Sequence, residues 1–175
     1  LNAGSAVLSA DSQMNNLSGS ANINISSNDL TLNNSSSTTY SGVLSGSGNL
    51  IKTGNETITL SGTNTYSGNT TISAGTLNIG GSGSLGSGTY AGAISNSGIF
   101  KFDSSANLIS TGVISGSGSV LVTGSGTFEP KATNTYTGGT TVDGGTIAAY
   151  TDRNWGAVPG SVDSDNIILK NGGKA

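Results

Sequence analysis

Side chains that could carry out chemistry are scarce in this sequence. Its 175 residues include no histidine and no cysteine. A Ser-His-Asp triad, a Cys-His pair and a His-ligated zinc site are therefore excluded. Disulfides are excluded too, so packing and backbone hydrogen bonds must supply the stability. The nine acidic residues are scattered along the chain, and Arg153 is the only arginine.

Two groups of acidic residues are the remaining candidates for chemistry. Asp163 and Asp165 lie two positions apart, and on a strand they would share a face and could hold calcium. On a turn they would simply be solvated. Coiling of the chain could bring Asp103, Glu129 and Asp143 together, as a polysaccharide-degrading enzyme would require. Clustered acidic and basic residues of that kind are not evident, so we expect no enzyme, no cofactor and no tightly bound metal.

A ligand could instead be held by a loop, since binding functions reside in segments added to a scaffold. The best candidate for such an insertion is the segment 150–162, which contains Arg153 and Trp155. These two residues are our candidates for ligand contact, with the ligand itself unknown.

The composition favours a repetitive β protein as the scaffold. Hydrophobic residues make up 33% and charged residues 9% of the chain, and 29 residues are glycine. Much of the remainder is Ser, Thr and Asn, which are poor residues for helix interiors, so a helical bundle is excluded. No stretch has the about 18 apolar residues of a membrane-spanning helix. A net charge of −3 argues against nucleic acid as a partner.

The sequence repeats itself at a constant offset. Segment 42–48 reappears as 112–118, so the offset in residue number is 112 − 42 = 70. Segment 63–66 reappears as 133–136 with the same offset. We interpret the chain as a single β-helical segment, residues 1–175, with repeat units at about 30–99 and 100–169. The constant offset predicts that residues separated by 70 occupy the same structural place.

Within each unit the apolar residues alternate with polar ones, which is typical of strands. Gly, Asn and Ser bound each short apolar run and indicate turns. The spacing of the runs predicts coils of roughly 20 residues, and thus about eight or nine coils in a parallel stack. The residues expected to point inward are Leu32, Leu60, Leu77, Ile79, Phe102 and Ile147.

Matching turns carry an asparagine and a tyrosine in both copies. These are Asn64 and Tyr66 in the first, and Asn134 and Tyr136 in the second. We expect the asparagines to bond backbone groups in the turn and the tyrosines to pack over the coil corner. An aromatic row for sugar or protein contact is the alternative.

The repeated residues also carry a family resemblance. Segments 46–54, 57–62, 64–72 and 75–77 together resemble the autotransporter passenger-associated strand repeat of bacterial type V secretion. The second copy departs from the first where Glu129-Pro130-Lys131-Ala132 replaces residues 59–62. The resemblance implies an all-β fold, a right-handed parallel β-helix, in a passenger domain that is exported and displayed on the cell surface.

These observations lead to one expected function and two alternatives. We expect a structural or adhesive segment of a bacterial surface protein that acts as a stalk, a filament or a self-associating adhesin. The alternatives are a module that binds host glycan or protein and, more remotely, a β-helical enzyme acting on polysaccharide. Low charge and polar faces predict self-association as a homo-oligomer, end to end or side by side. Nucleic-acid partners and membrane insertion of this segment are not expected, and the chain resembles a fragment of a longer passenger.

Overall fold

The computed structural model describes residues 5–157 and 167–175. Within them the chain forms twenty short strands, two 3-10 segments and no α-helix. The 3-10 segments are Gly86–Gly88 and Asp152–Trp155. In chain order the strands are β1 (Ser5–Val7), β2 (Ser12–Asn15), β3 (Asn22–Asn24), β4 (Leu30–Asn33), β5 (Thr38–Tyr40), β6 (Leu44–Ser45), β7 (Leu50–Thr53), β8 (Thr57–Leu60), β9 (Thr70–Ile72), β10 (Thr76–Gly81), β11 (Thr89–Tyr90), β12 (Ile94–Asn96), β13 (Ile99–Ser104), β14 (Leu108–Ser110), β15 (Ile114–Ser115), β16 (Ser119–Val122), β17 (Thr127–Pro130), β18 (Thr140–Asp143), β19 (Thr146–Ile147) and β20 (Ile167–Lys170).

The strands form four sheets, and every strand pair is parallel. One sheet has six strands, in the order β15-β12-β9-β7-β4-β2, and another has seven, in the order β20-β18-β16-β13-β10-β8-β5. The third side of the coil holds the sheet β1-β3-β6 in the early coils and the sheet β11-β14-β17-β19 in the later ones. The chain therefore winds as a parallel β-solenoid that visits three sides in turn.

The coil length is close to the expected value but is not constant. Leu50 pairs with Thr70, a step in residue number of 70 − 50 = 20. Thr70 pairs with Ile94, a longer step of 94 − 70 = 24, because the extra residues near Gly86–Gly88 form a local 3-10 turn. The longest sheet has seven strands rather than the eight or nine coils we expected. At about 4.8 Å per strand, this sheet extends for roughly 30 Å.

Alternate side chains of each strand point into the solenoid and form one continuous core. The six residues expected to point inward are all at most 1% exposed, which confirms the period-two interpretation. Leu30 and Phe100 are both fully buried as well, so these two matching positions keep the same in-or-out orientation. Fixed alternation is a consequence of the strand geometry, because successive side chains lie on opposite faces.

Matching positions of the two repeats do not, however, occupy the same place in the coil, and this expectation is corrected. Leu50 is in the six-stranded sheet, whereas Val120 is in the seven-stranded sheet. Three coils lead from Leu50 through Thr70 and Ile94 to Ile114, and the short remaining stretch from Ile114 to Val120 leads onto the next side. Each sequence repeat therefore advances the chain by one side of the solenoid.

Glycines stack in a column at the corner before the six-stranded sheet. The column contains Gly48, Gly68, Gly92 and Gly112. A Cβ at Gly68 would lie 2.1 Å from the carbonyl oxygen of Gly48, and one at Gly92 would lie 2.3 Å from that of Gly68. The backbone of each coil approaches the next too closely here for any side chain. Glycine is thus required by the stacking distance and not by an unusual backbone angle.

We expect Gly68→Ala to destabilise the solenoid by about 1–3 kcal/mol or more, because the new methyl group would push two coils apart. Ser67→Ala, at the exposed neighbouring position, is the matched control and should change stability by less than about 0.5 kcal/mol. Chemical denaturation followed by far-UV circular dichroism measures both changes. Equal midpoints for the two variants would contradict a steric requirement at this corner.

Candidate functional site

An open cleft of about 740 Å³ lies beside the loop that follows β19. It is lined by Lys131, Thr133, Tyr150, Thr151, Asp152, Arg153 and Asn154. One wall comes from the turn after β17 and the other from the loop that contains the Asp152–Trp155 segment. The cleft therefore lies between two successive coils, which are joined by the hydrogen bond from Asn134 N–H to the carbonyl oxygen of Arg153 at 2.8 Å.

The buried side chain of Asn154 holds this loop in shape. Its Oδ1 accepts hydrogen bonds from the backbone N–H groups of Tyr150 and Thr151, both at 3.0 Å. Its Nδ2 donates to the carbonyl oxygen of Ala132 at 2.9 Å. Asn134 Nδ2 in turn donates to the carbonyl oxygen of Asn154 at 2.7 Å. The two walls of the cleft are therefore tied together by buried hydrogen bonds.

The two candidate ligand-binding residues have different environments. Arg153 is exposed and lines the cleft. Trp155 is only 8% exposed and belongs to the hydrophobic core. Trp155 therefore anchors the loop from below, and its ring is not presented to the cleft.

The charges beside the cleft are unevenly paired. Lys131 forms an ion pair with Glu129 at 3.2 Å. Across the described ranges 5–157 and 167–175, no carboxylate lies within ion-pair distance of Arg153.

The matching asparagines of the two repeats both lie inside the solenoid and bond backbone groups. Asn64 Oδ1 accepts from the N–H of Leu44 at 2.9 Å, and its Nδ2 donates to Gly62 O at 2.9 Å. Asn134 Oδ1 accepts from the N–H of Ile114 at 2.8 Å. Both side chains thus link one coil to the preceding one.

The matching tyrosines are also buried, at 0% and 1% exposure, so both rings lie inside the solenoid. Tyr66 Oη and Thr70 Oγ1 are 2.7 Å apart, and Thr70 Oγ1 is also 2.7 Å from Tyr90 Oη. In the second repeat, Tyr136 Oη bonds Thr140 Oγ1 in the same way. Each repeat thus contains a hydrogen-bonded tyrosine–threonine pair within the core. The expected alternative, an aromatic row for ligand contact, would require exposed rings at these positions.

Burial changes the acid–base behaviour of these phenols. It raises the pKa of Tyr40 to about 12. It also raises the pKa of Tyr136 to about 12, although the hydrogen bond to Thr140 acts in the opposite direction. The pKa values of Tyr66 and Tyr90 are raised by burial as well. The four groups therefore stay protonated at a pH at which they would ionise in the unfolded chain.

Lys52 is a buried cation that the sequence reasoning missed. It occupies the inward column between Leu32 and Ile72 and is 0% exposed. Its ammonium group donates to the carbonyl oxygens of Thr53 and of Gly54, the latter at 2.7 Å. Burial lowers the pKa of Lys52, and Glu56 acts in the opposite direction. The sequence did contain a signal for this burial, because Lys52 lies two residues after Leu50. Side chains two positions apart on a strand lie on the same face, here the inward one.

The acidic residues proposed for catalysis are not brought together. Asp103 and Asp143 lie on strands of the seven-stranded sheet that are separated by β16, whereas Glu129 lies on the four-stranded sheet. Asp103 forms an ion pair with Lys101 at 3.1 Å and accepts from Thr123 Oγ1 at 2.8 Å. Within the described residues, no group of three or more carboxylates is arranged to hold a metal.

The calcium candidates Asp163 and Asp165 lie outside the described residues. The part of the chain that the structure describes also contains no helix long and apolar enough to cross a membrane.

The stacked parallel coils, the internal repeat and the continuous narrow core define a β-solenoid protein. Two segments, residues 50–79 and 120–149, match the family model described as Passenger-associated-transport-repeat. The second match begins 120 − 50 = 70 positions after the first, which confirms the repeat seen in the sequence. These two segments and the parallel β-solenoid that contains them match an autotransporter passenger repeat. This family implies a secreted, surface-exposed protein and suggests a structural role.

Comparison with curated proteins and with solved structures gave no significant match.

We expect Thr70→Val to destabilise the chain by about 1–3 kcal/mol, because Tyr66 and Tyr90 would lose a shared buried partner. Thr71→Val is the matched control, since Thr71 points outward from the same strand and should tolerate the change within about 0.5 kcal/mol. Urea denaturation of both variants measures the difference. A neutral Thr70→Val substitution would show that the buried hydroxyl contributes no net stability.

We expect the solenoid to lose stability as the pH rises from 10 to 12. The unfolded phenols ionise near pH 10, whereas Tyr40 and Tyr136 ionise at about 12 in the folded chain. The unfolded state therefore releases its protons first, and each of these tyrosines lowers the stability as the pH rises towards 12. Lys52 has the opposite effect, because its pKa is lowered in the folded chain. Just below the unfolded pKa of lysine, a rise in pH therefore increases its contribution to stability.

Tyrosinate absorbance and far-UV circular dichroism, recorded together during an alkaline titration, test this expectation. The two signals should change in the same pH range, because the buried phenols ionise as the coils unfold. Ionisation of the buried tyrosines with the β signal intact would contradict the coupling. Tyr40→Phe should shift the loss of β signal to higher pH.

Proposed function

We propose that this chain is a rigid stalk segment of a bacterial surface passenger and that it associates side by side with other copies of itself. The observation that carries the stalk role is the unbroken parallel register through the seven-stranded sheet. Each coil rests on the one before it along this face, so bending would break hydrogen bonds along the whole sheet. Such a rod suits a part that holds other segments away from the cell surface.

The polar outer faces support the self-association. On the seven-stranded sheet, Thr39 pairs with Thr59, and Thr59 pairs with Asn78. Thr39 is exposed and Thr59 half-buried, whereas Asn78 is only 8% exposed and its Nδ2 donates to Thr59 Oγ1 at 3.2 Å. The hydroxyl groups of Thr39 and Thr59 can form hydrogen bonds with the same groups of a second rod.

The low charge also favours contact between identical chains. The net charge is −3 over 175 residues. Lys101 and Lys131 are both engaged in ion pairs with carboxylates of their own strands or turns. Like copies therefore repel one another weakly, and their association should depend only weakly on salt. Self-association of this kind would support adhesion between cells and biofilm formation.

A binding role for the cleft is the second candidate, favoured by the exposed side chains of Tyr150 and Arg153 in its lining. A catalytic role has less support, because the acidic residues considered for it lie on different sheets. We therefore expect no hydrolase or lyase activity from this segment. Incubation with acidic polysaccharides and measurement of released reducing or unsaturated sugars tests this expectation.

Analytical ultracentrifugation across a concentration series tests the self-association. We expect the sedimentation coefficient to rise with concentration and to change little with added salt. Thr59→Lys would place a charge on the proposed contact face and should weaken association, whereas Thr71→Lys, on the six-stranded sheet, should not. A single monomeric species up to high concentration would contradict the proposal, as would equal association of the two lysine variants.

A further inference from the structure

The cleft beside residues 150–154 has properties of a preformed binding site. Its volume of about 740 Å³ lies in the range of small-molecule sites, roughly 300–1,000 Å³. Asn154 fixes the backbone of Tyr150 and Thr151, and Trp155 fills the core beneath the loop. The loop therefore loses little further conformational entropy when a ligand binds.

The cationic groups of the cleft indicate an anionic ligand. Lys131 and Arg153 both line it, and these are two of only six Lys and Arg residues in an acidic chain. Lys131 is 48% exposed and shares its charge with Glu129. Arg153 is exposed, and among the described residues it forms no ion pair. A guanidinium group binds a carboxylate or a sulfate with two parallel hydrogen bonds.

The other side chains favour a sugar over an acidic peptide. Tyr150 is 74% exposed, in contrast to Tyr40, Tyr66, Tyr90 and Tyr136, which are at most 1% exposed. An open aromatic ring offers its negative face to the C–H groups of a pyranose.

Asp152 and Thr133 add polar groups that suit sugar hydroxyls. A carboxylate in the lining accepts hydrogen bonds from the hydroxyl groups of a sugar, which the carboxylate side chains of an acidic peptide do not supply. An anionic sugar suits the whole lining, because it combines a charged substituent with several hydroxyl donors.

We propose that the cleft formed by Lys131, Tyr150, Asp152 and Arg153 binds an anionic pyranose unit of a polysaccharide. Arg153 holds the charged substituent, and Lys131 lies in the same lining with its charge shared with Glu129. Tyr150 packs against the ring, and Asp152 accepts hydrogen bonds from its hydroxyls. This site is separate from the stalk and self-association roles, so either inference can fail without the other.

Binding can be measured by isothermal titration calorimetry with the 175-residue chain. The probes are oligogalacturonate, its methyl-esterified and therefore neutral counterpart, a sulfated oligosaccharide and polyglutamate. We expect binding of oligogalacturonate and little binding of the ester or of polyglutamate. Binding of the sulfated sugar in addition would show that the site recognises the charge rather than the carboxylate alone.

Variants then place the binding in the cleft. Arg153→Gln should weaken binding by about tenfold or more, since it removes a charged hydrogen-bond donor. Tyr150→Ala should weaken it as well. Lys170→Gln is the matched control, because Lys170 is an exposed cation that does not line the cleft. Circular dichroism checks that all three variants fold like the parent.

Three results would overturn the proposal. One is equal affinity for the charged and the esterified oligosaccharide. Another is equal loss of affinity in Arg153→Gln and Lys170→Gln, which would indicate general charge attraction. The third is absence of measurable binding to either anionic sugar by the correctly folded parent chain.

Discussion

The stacking of coils at a separation of about 4.8 Å is the constraint on which this structure depends. Residues of the stacked strands lie directly above and below residues of neighbouring coils, so each position must suit its own column. Where the backbones come closest, only glycine is accommodated, as at Gly48, Gly68 and Gly92. Where the column faces inward, aliphatic and aromatic side chains stack, as Leu77, Phe100 and Val120 do on the seven-stranded sheet. The residue type at each position is therefore matched to the space that its column offers.

The relation between the sequence repeat and the coil gives this solenoid a particular symmetry. One repeat contains three coils and one additional side, as the path from Leu50 to Ile114 and then to Val120 demonstrates. Because all three sides alternate between inward and outward residues, the shift by one side preserves burial. It changes only the direction in which the outer residues point. Successive repeats of this kind would display the same surface residues around the rod and not along one face.

The sequence pattern predicted which side chains are buried, but it did not predict which residues pair between neighbouring coils. Period two decides whether Leu77 or Phe102 points inward, and this property is local. The neighbour in the next coil depends on the length of the whole coil, which is longer between β9 and β12 than between β7 and β9. Residue type was also misleading at Trp155, which we considered as a ligand contact although its ring is in the core. The cleft depends on where this loop folds back onto the turn after β17, which no local pattern encodes.

Buried polar groups give the stack the register that apolar columns alone would not specify. A column of aliphatic residues tolerates a shift of one coil against the next, since Leu, Ile and Val pack in similar ways. A buried amide such as Asn64 or Asn134 is satisfied only in one register, because its donors and acceptor must meet particular backbone groups. Thr70 and Lys52 act in the same way, each placing polar groups within the core where an incorrect register would leave them unpaired. The same asparagine system continues through Asn134 into Asn154, so the interactions that fix the register of the coils also fix the shape of the loop that borders the cleft.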